Sequence, residues 1–288
     1  MAYIVLVGAG NMGFAMLSRW LAKVDDTGSV VEPAVLHRCT VRAQNTFAVV
    51  EPADALRERA IKAGAHVYAS ADELPAEPRP DVIIIATKPQ TVAEVAELYS
   101  SRLAPDGLFI SVAAGAGIAT IEKRAGRSLA VIRCMPNTPA SIGEGMTVCC
   151  PNTRATAAHR AVAQELLTSI GRVVFIEDEQ LMDAVTAISG SGPAYLFLFI
   201  EALSQAARAA GLERELALLL AKQTIYGASK LALESADAPA TLRKQVTSPN
   251  GTTAAAMTVL LRPGNGLTAL VHQAVSAAKA KSIKLREP

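Results

Sequence analysis

The chain has 288 residues, of which 51% are hydrophobic and 4% aromatic, with a formal net charge of +2. That length suits one large or two ordinary domains with an aliphatic core, and the near-neutral charge without a basic, aromatic-rich stripe argues against a nucleic-acid partner. Four cysteines (Cys39, Cys134, Cys149, Cys150) and four histidines (His37, His66, His159, His272) offer no ligand spacing, so no metal is expected and the thiols read as reduced.

In chain order, "YIVLVGAG" (3–10) is a short β-rich run ending in glycine, without the basic region or cleavage site of a secretory signal. "MGFAMLSRWLAKV" follows with helical spacing. "VVEPA" then occurs twice, at 30–34 and 49–53. The second copy precedes "DALRERAIKAG", an amphipathic helix ending in glycine, which favours 47–52 as the second strand and leaves 25–45 as an inserted excursion. Further strands are expected at "AHVYA", "DVIIIATKP", "LFISVAAG", "LAVIRCMPN", "MTVCC" and "RVVFIED", with helices at 54–63, 91–103, 118–125 and 155–170. Apolar runs alternating with helices predict a parallel sheet covered on both faces.

After Asp178 the strand pattern stops. Residues 179–210, 213–235, 239–246, 252–261 and 266–284 all have helical character, so a boundary is expected near 178. The fold class is α/β: a Rossmann-like, mostly parallel sheet domain (1–178) followed by a smaller all-helical domain (179–288). "AYLFLFIEAL" (194–203) is too short by itself to span a bilayer, and it is apolar nearly all round. A helical domain of this size hides such a segment with difficulty, which predicts burial in a dimer or larger oligomer and no membrane partner. A cytoplasmic location is expected.

"GAGNMG" gives Gly8, Gly10 and Gly13 in Gly-x-Gly-x-x-Gly spacing between a strand and a helix, the context that points to a dinucleotide. Gly8 allows the turn, Gly10 lets the backbone approach a pyrophosphate at the helix N-terminus, and Gly13 lets helix and strand pack closely. Glu51, ending the second strand, would accept hydrogen bonds from the adenosine ribose and repel a 2′-phosphate, which tilts the choice toward NADH. With the first "VVEPA" copy as the strand, Glu32 takes that role beside Arg38 and Arg42. "ATKPQ" (86–90) and "CMPNTP" (134–139) end later strands, where an open parallel sheet meets its ligand. The cofactor contacts expected are Gly8, Gly10, Asn11, Met12, Gly13, Glu51, Thr87, Lys88, Pro89, Ala114, Gly115 and Asn137.

Together with "AVTAISGSGPAYLF" (184–197) and "VTSPNGTT" (246–253), these motifs closely resemble the pyrroline-5-carboxylate reductase family over nearly the whole chain. The resemblance implies a dinucleotide-binding domain, an interlocked helical dimer with active sites shared between subunits, NADH or NADPH as cofactor, and a five-membered cyclic imine carboxylate as substrate. It also implies that Thr253 bonds the ring nitrogen while Ser248, Asn250, Gly251 and Thr252 hold the carboxylate. Read without it, "SPNGTT" is a helix N-cap. Where the family carries two glycines, this chain has Pro249-Asn250-Gly251, and asparagine tolerates the left-handed backbone that the loop needs. No strong enzymic acid is required, because a protonated imine is already electrophilic. "SGSGPAY" is expected to kink or closely approach a neighbour through Gly190, Gly192 and Pro193.

Overall fold

The computed structural model describes residues 2–22 and 45–286. Their contacts form two compact units, Met1–Gly190 with Lys279–Pro288, and Ser191–Ala278.

The first unit is built on an eight-stranded sheet in the order β3-β2-β1-β4-β5-β6-β7-β8. The strands are β1 Ala2–Val7, β2 Asn45–Val50, β3 His66–Tyr68, β4 Val82–Ile85, β5 Leu108–Ser111, β6 Ala130–Met135, β7 Gly145–Pro151 and β8 Gly171–Phe175. All neighbours are parallel except β6 and β7, which are antiparallel. Among the described residues the helices that cover it are α1 Asn11–Trp20, α2 Asp54–Lys62, α3 Val92–Ser100, α4 Ile118–Ala125 and α5 Ala157–Thr168. The expected β-α alternation is present, with ends that differ by a few residues.

The central strands are apolar on both faces because both faces are packed. "VIII" of β4 is wholly buried: Val82 and Ile84 face one cluster, Ile83 and Ile85 the other. In the first cluster Trp20 stacks on Phe47 with ring centroids 5.3 Å apart, and its indole N–H donates to the Leu166 carbonyl at 2.9 Å. The second "VVEPA" copy is indeed the end of β2, paired with β1 through Val7 and Val50. The first copy, with Glu32, Arg38 and Arg42, lies outside the described residues. From β1 the chain winds outward to β2 and β3, then crosses to β4 on the other side. The carboxyl ends of β1 and β4 therefore flank the switch point at which open α/β sheets bind ligands.

The stretch expected as one helix over 179–210 has four parts: a 3₁₀ turn Glu179–Leu181, α6 Met182–Val185, a π turn Thr186–Gly190, and α7 Gly192–Ala209 with Pro193 in its first turn. The break falls at the glycine-rich motif, and a Cβ on Gly190 would overlap the Met135 Cε. Met182, Asp183 and Ala187 are buried against the sheet unit, which is why contacts continue to Gly190 although strands end near Phe175. Ser282 Oγ donates to Asp183 Oδ1 at 2.8 Å, tying the last residues of the chain to the same unit.

The second unit contains α7, α8 Arg214–Glu234, α9 Pro239–Gln245, α10 Thr252–Leu260 and most of α11 Leu267–Arg286. Glu179–Ala209 as a whole is long and apolar enough, by length and composition, to cross a membrane, longer than the ten-residue run suggested. Its apolar residues have another explanation, given with the site below.

Candidate active site

The glycine motif is shaped by sterics at two positions and by open space at the third. Gly8 has φ +97°, and a Cβ there would come within 2.8 Å of the Ala86 carbonyl oxygen at the end of β4. A Cβ on Gly13 would overlap the Gly8 carbonyl oxygen, so α1 packs against the turn only because Gly13 has no side chain. Nothing lies within 4 Å of the Cβ position of Gly10. Gly10 is the N-cap of α1, no side chain caps that helix, and its first turn carries no acidic residue. An uncapped helix N-terminus beside an empty Cβ position suits a phosphate. Thr87, next to the same turn, has a buried Oγ1 without a protein partner, a second polar group free for a ligand. These features fit a dinucleotide. Asn11 is exposed and Met12 half-buried on the first turn of the same helix.

Glu51 braces the turn on which the cofactor contact is expected. It is only 6% exposed, and Oε2 accepts from the Ala9 N–H at 2.7 Å while Oε1 accepts from the Ala53 N–H at 2.9 Å. The carboxylate is a strut between the glycine turn and the start of α2. Each oxygen thus accepts one backbone bond inside the protein and keeps a further lone pair. The rim residue there is Arg57, whose guanidinium donates to the Glu51 carbonyl at 3.1 Å and pairs with Asp54.

A cleft of about 1060 Å³ opens beyond β4 and β5, lined among others by Pro89, Gln90, Ala114, Gly115, Thr120 and Leu285. It brings together three of the expected cofactor residues: Pro89, Ala114 and Gly115. Gly115 has φ +80°, and its Cβ position lies 3.5 Å from the Leu285 carbonyl oxygen near the end of α11. Lys88 is exposed, and its carbonyl accepts from the Thr91 N–H and hydroxyl, so it caps a 3₁₀ turn. Asn137 does not present a free amide. Its Nδ2 donates to the Ser189 carbonyl at 3.0 Å and its Oδ1 accepts from the Met146 N–H at 2.8 Å, joining the β6 exit, the π turn and β7.

The other expected constellation is in the second unit. Gly251 N–H donates to the Ser248 carbonyl at 3.1 Å across a turn with Pro249 and Asn250 in its middle. Asn250 has φ +59°, the only positive φ outside glycine among the described residues. Proline followed by a left-handed residue is the pattern of a type II turn, and asparagine adopts it where the family uses glycine. A Cβ on Gly251 would displace Ser248 Oγ from its present position. Gly251 is the N-cap of α10, which has no side-chain cap and no acid in its first turn. The hydroxyls of Ser248, Thr252 and Thr253 are therefore not consumed in capping, contrary to the simple N-cap reading.

Sequence reasoning missed Arg133 and Glu179. Arg133 is 2% exposed in β6, and its Nη1 donates to Glu179 Oε1 at 2.8 Å. A charge inside "AVIRCM" was the available signal. The same strand carries Cys134, opposite Cys149 on β7 with sulfurs 3.2 Å apart and unbonded. Burial, then the contact with Cys149, pushes the Cys134 thiol well above the usual range. Cys150, on the other face, is pushed up to about 11, first by burial and then by the Glu179 charge. These thiols are protonated at neutral pH and are not nucleophiles. Among the described residues no group of histidines, cysteines and carboxylates could hold a metal.

Comparison with known proteins fits this geometry. A family model described as pyrroline-5-carboxylate reductase dimerisation matches residues 179–285, and one described as NADP oxidoreductase, coenzyme F420-dependent, matches 3–115. The pyrroline-5-carboxylate reductase of Pseudomonas aeruginosa is 37% identical over 99% of this chain and 97% of its own. The chain belongs to the pyrroline-5-carboxylate reductase family. The enzyme of that name from Synechocystis is 39% identical over 90% of this chain and 96% of its own. Among solved structures, the reductase from Coxiella burnetii superposes with a TM-score of 0.86 at 30% identity, covering 100% of this chain and 99% of that one. The Plasmodium falciparum enzyme, solved with NADP bound, gives 0.79 at 29% identity over the full length of both chains. The dimerisation match covers the apolar run of α7, so subunit association, rather than a bilayer, accounts for its composition.

Proposed function

We propose that the protein reduces 1-pyrroline-5-carboxylate to proline, with NADH or NADPH as hydride donor, in the cytoplasm, as a homodimer or larger homo-oligomer. The observation that carries this reading is the full-length relationship to the Pseudomonas aeruginosa reductase, with both "GAGNMG" and "VTSPNGTT" intact. In functional terms residues 1–178 bind the dinucleotide and residues 179–288 associate subunits and bind substrate.

The chemistry divides between two backbone features and one hydroxyl. The open N-terminus of α1, with Gly8, Gly10, Asn11, Met12 and Gly13, holds the pyrophosphate. Pro89, Ala114 and Gly115 line the cleft in which the nicotinamide is held, with Thr87 and Lys88 preceding Pro89 in the chain and with Glu51 and Asn137 bracing the loops around it. Bound NAD(P)H supplies the hydride. The free N–H groups and hydroxyls at the start of α10, with Ser248, Asn250, Gly251 and Thr252, hold the substrate carboxylate without a buried arginine. Thr253 Oγ meets the ring nitrogen. A hydroxyl both accepts and donates, so it accepts from the iminium N–H before reduction and donates to the amine lone pair afterwards. Hydride adds to the imine carbon, and the C=N π pair moves to nitrogen. No side chain transfers a proton in that step, consistent with the lack of a histidine or carboxylate in "SPNGTT".

The test is oxidation of NADH and of NADPH with five- and six-membered imine carboxylates side by side. The reading expects turnover of the five-membered ring with proline as product. A preference for the six-membered ring would reassign the substrate, and binding without turnover would make the protein a dinucleotide sensor.

A further inference from the structure

We infer that Glu179 and Arg133 are positioning residues for the turn between β5 and α4, the wall of the cleft formed by Ala114, Gly115 and Ala116. This inference rests on the cofactor reading of that cleft. The turn has little to hold it from within. Gly115 adopts a left-handed φ, and Gly117, the N-cap of α4, has no side chain to bond the helix. The first N–H of α4, on Ile118, finds its partner elsewhere: it donates to Glu179 Oε1 at 2.9 Å. That oxygen also accepts from Arg133 Nη1. One carboxylate oxygen thus fastens α4, β6 and the 3₁₀ turn after β8 at a single point.

The surroundings make this point rigid. Arg133 is buried, and in the strand register it stands beside Ser111, the last residue of β5 before the turn. Ser111 Oγ has no partner, so the guanidinium is not held from that side. Glu179 is the only ion partner of Arg133 among the described residues. Loss of the carboxylate leaves a buried cation unpaired and the Ile118 N–H without an acceptor, and the turn is then free to shift. A displacement of about 1 Å at such a wall lowers productive binding on the order of a hundredfold at the upper end.

The experiment uses full-length protein and three variants: Glu179→Gln, Glu179→Ala, and the double variant Arg133→Met with Glu179→Leu. The double variant replaces the ion pair by apolar groups of similar volume, which keeps a buried site folded. Two readouts are taken well below the melting temperature: amide exchange of peptides covering 112–120 in cofactor-free protein, and the Kd for NADPH. Glu179→Ala and the double variant are expected to speed exchange in 112–120 at least about tenfold and to weaken NADPH by about tenfold or more. Glu179→Gln retains an oxygen acceptor for Ile118 and should lie close to wild type in exchange. Should the double variant recover the melting temperature, the exchange and the Kd together, the pair is merely structural and the inference is wrong. If Glu179→Ala does not fold, the double variant alone decides. If NADPH protects no amide of 112–120 in the wild type, the cofactor reading of the cleft fails instead.

Discussion

The two units of this chain solve the same problem in different ways. The sheet unit is finished by its own residues: β4 is buried on both faces, Trp20 and Phe47 stack in one layer, and even the charged Arg133 has a partner. In the helical unit, α7, α9 and α10 contain no buried residue, and α8 buries only Ala217 and Ala221. Leu198 is 65% exposed, Leu219 61% and Leu233 68%. Burial of each such leucine is worth about 1.5–3 kcal/mol, and a single copy of the helical unit leaves most of that ungained. The difference teaches where the fold ends. The dinucleotide-binding half is complete in one chain, whereas the helical half is one part of a larger core.

The comparison is broken most severely inside the complete half. Gly13→Val places a side chain against the Gly8 carbonyl, so the turn and α1 cannot both keep their positions. Calorimetric titration should show NADPH affinity lowered by about a hundredfold, or roughly 2.7 kcal/mol, while assembly, a property of the other half, stays unchanged.

Thr253→Val removes one hydroxyl from the helical half at constant volume. A drop in kcat of up to about a hundredfold is expected if the bond strengthens during reduction, or a rise in KM if it only orients the ring. NADPH affinity should be unaltered, because the dinucleotide site belongs to the other unit. Unchanged kinetics would remove Thr253 from the site.

Glu51→Ala deprives the Ala9 and Ala53 N–H groups of their acceptor. As a strut, its loss should weaken NADH and NADPH alike, by about 1–3 kcal/mol. A selective gain for NADPH in paired titrations would instead restore the residue to the ribose.

The smallest effect concerns pH. The Cys150 thiol is raised from 9.0 to about 11 in the folded protein, so the fold favours its protonated form. That contribution is whole below pH 9 and is lost as pH climbs toward about 11. Denaturant midpoints should therefore fall more steeply over this window in wild type than in Cys150→Ala.

Much of this architecture was legible because it rests on local pattern. The second "VVEPA" copy could be chosen as β2 from the amphipathic helix behind it, and Asn250 could be matched to a left-handed turn once the family resemblance put glycines there. What was not legible depends on partners far along the chain. The bond of Glu51 to Ala9, 42 residues earlier, leaves no local trace. Asn137 looked like a pocket residue, and its amide is fixed by Ser189, 52 residues later. Arg133 and Glu179 are 46 residues apart; the charge inside "AVIRCM" is visible, but nothing near it in the chain names its partner. The break at the π turn was foreseeable from glycine and proline, whereas the proximity of Met135 to Gly190 was not.

The claim that the helical half is completed by a second copy is tested most directly by mass in solution. Light scattering on the wild type at micromolar concentration should give at least twice the 30.1 kDa of one chain, with no monomer. A monomer of 30.1 kDa that is folded and reduces the imine would contradict the account.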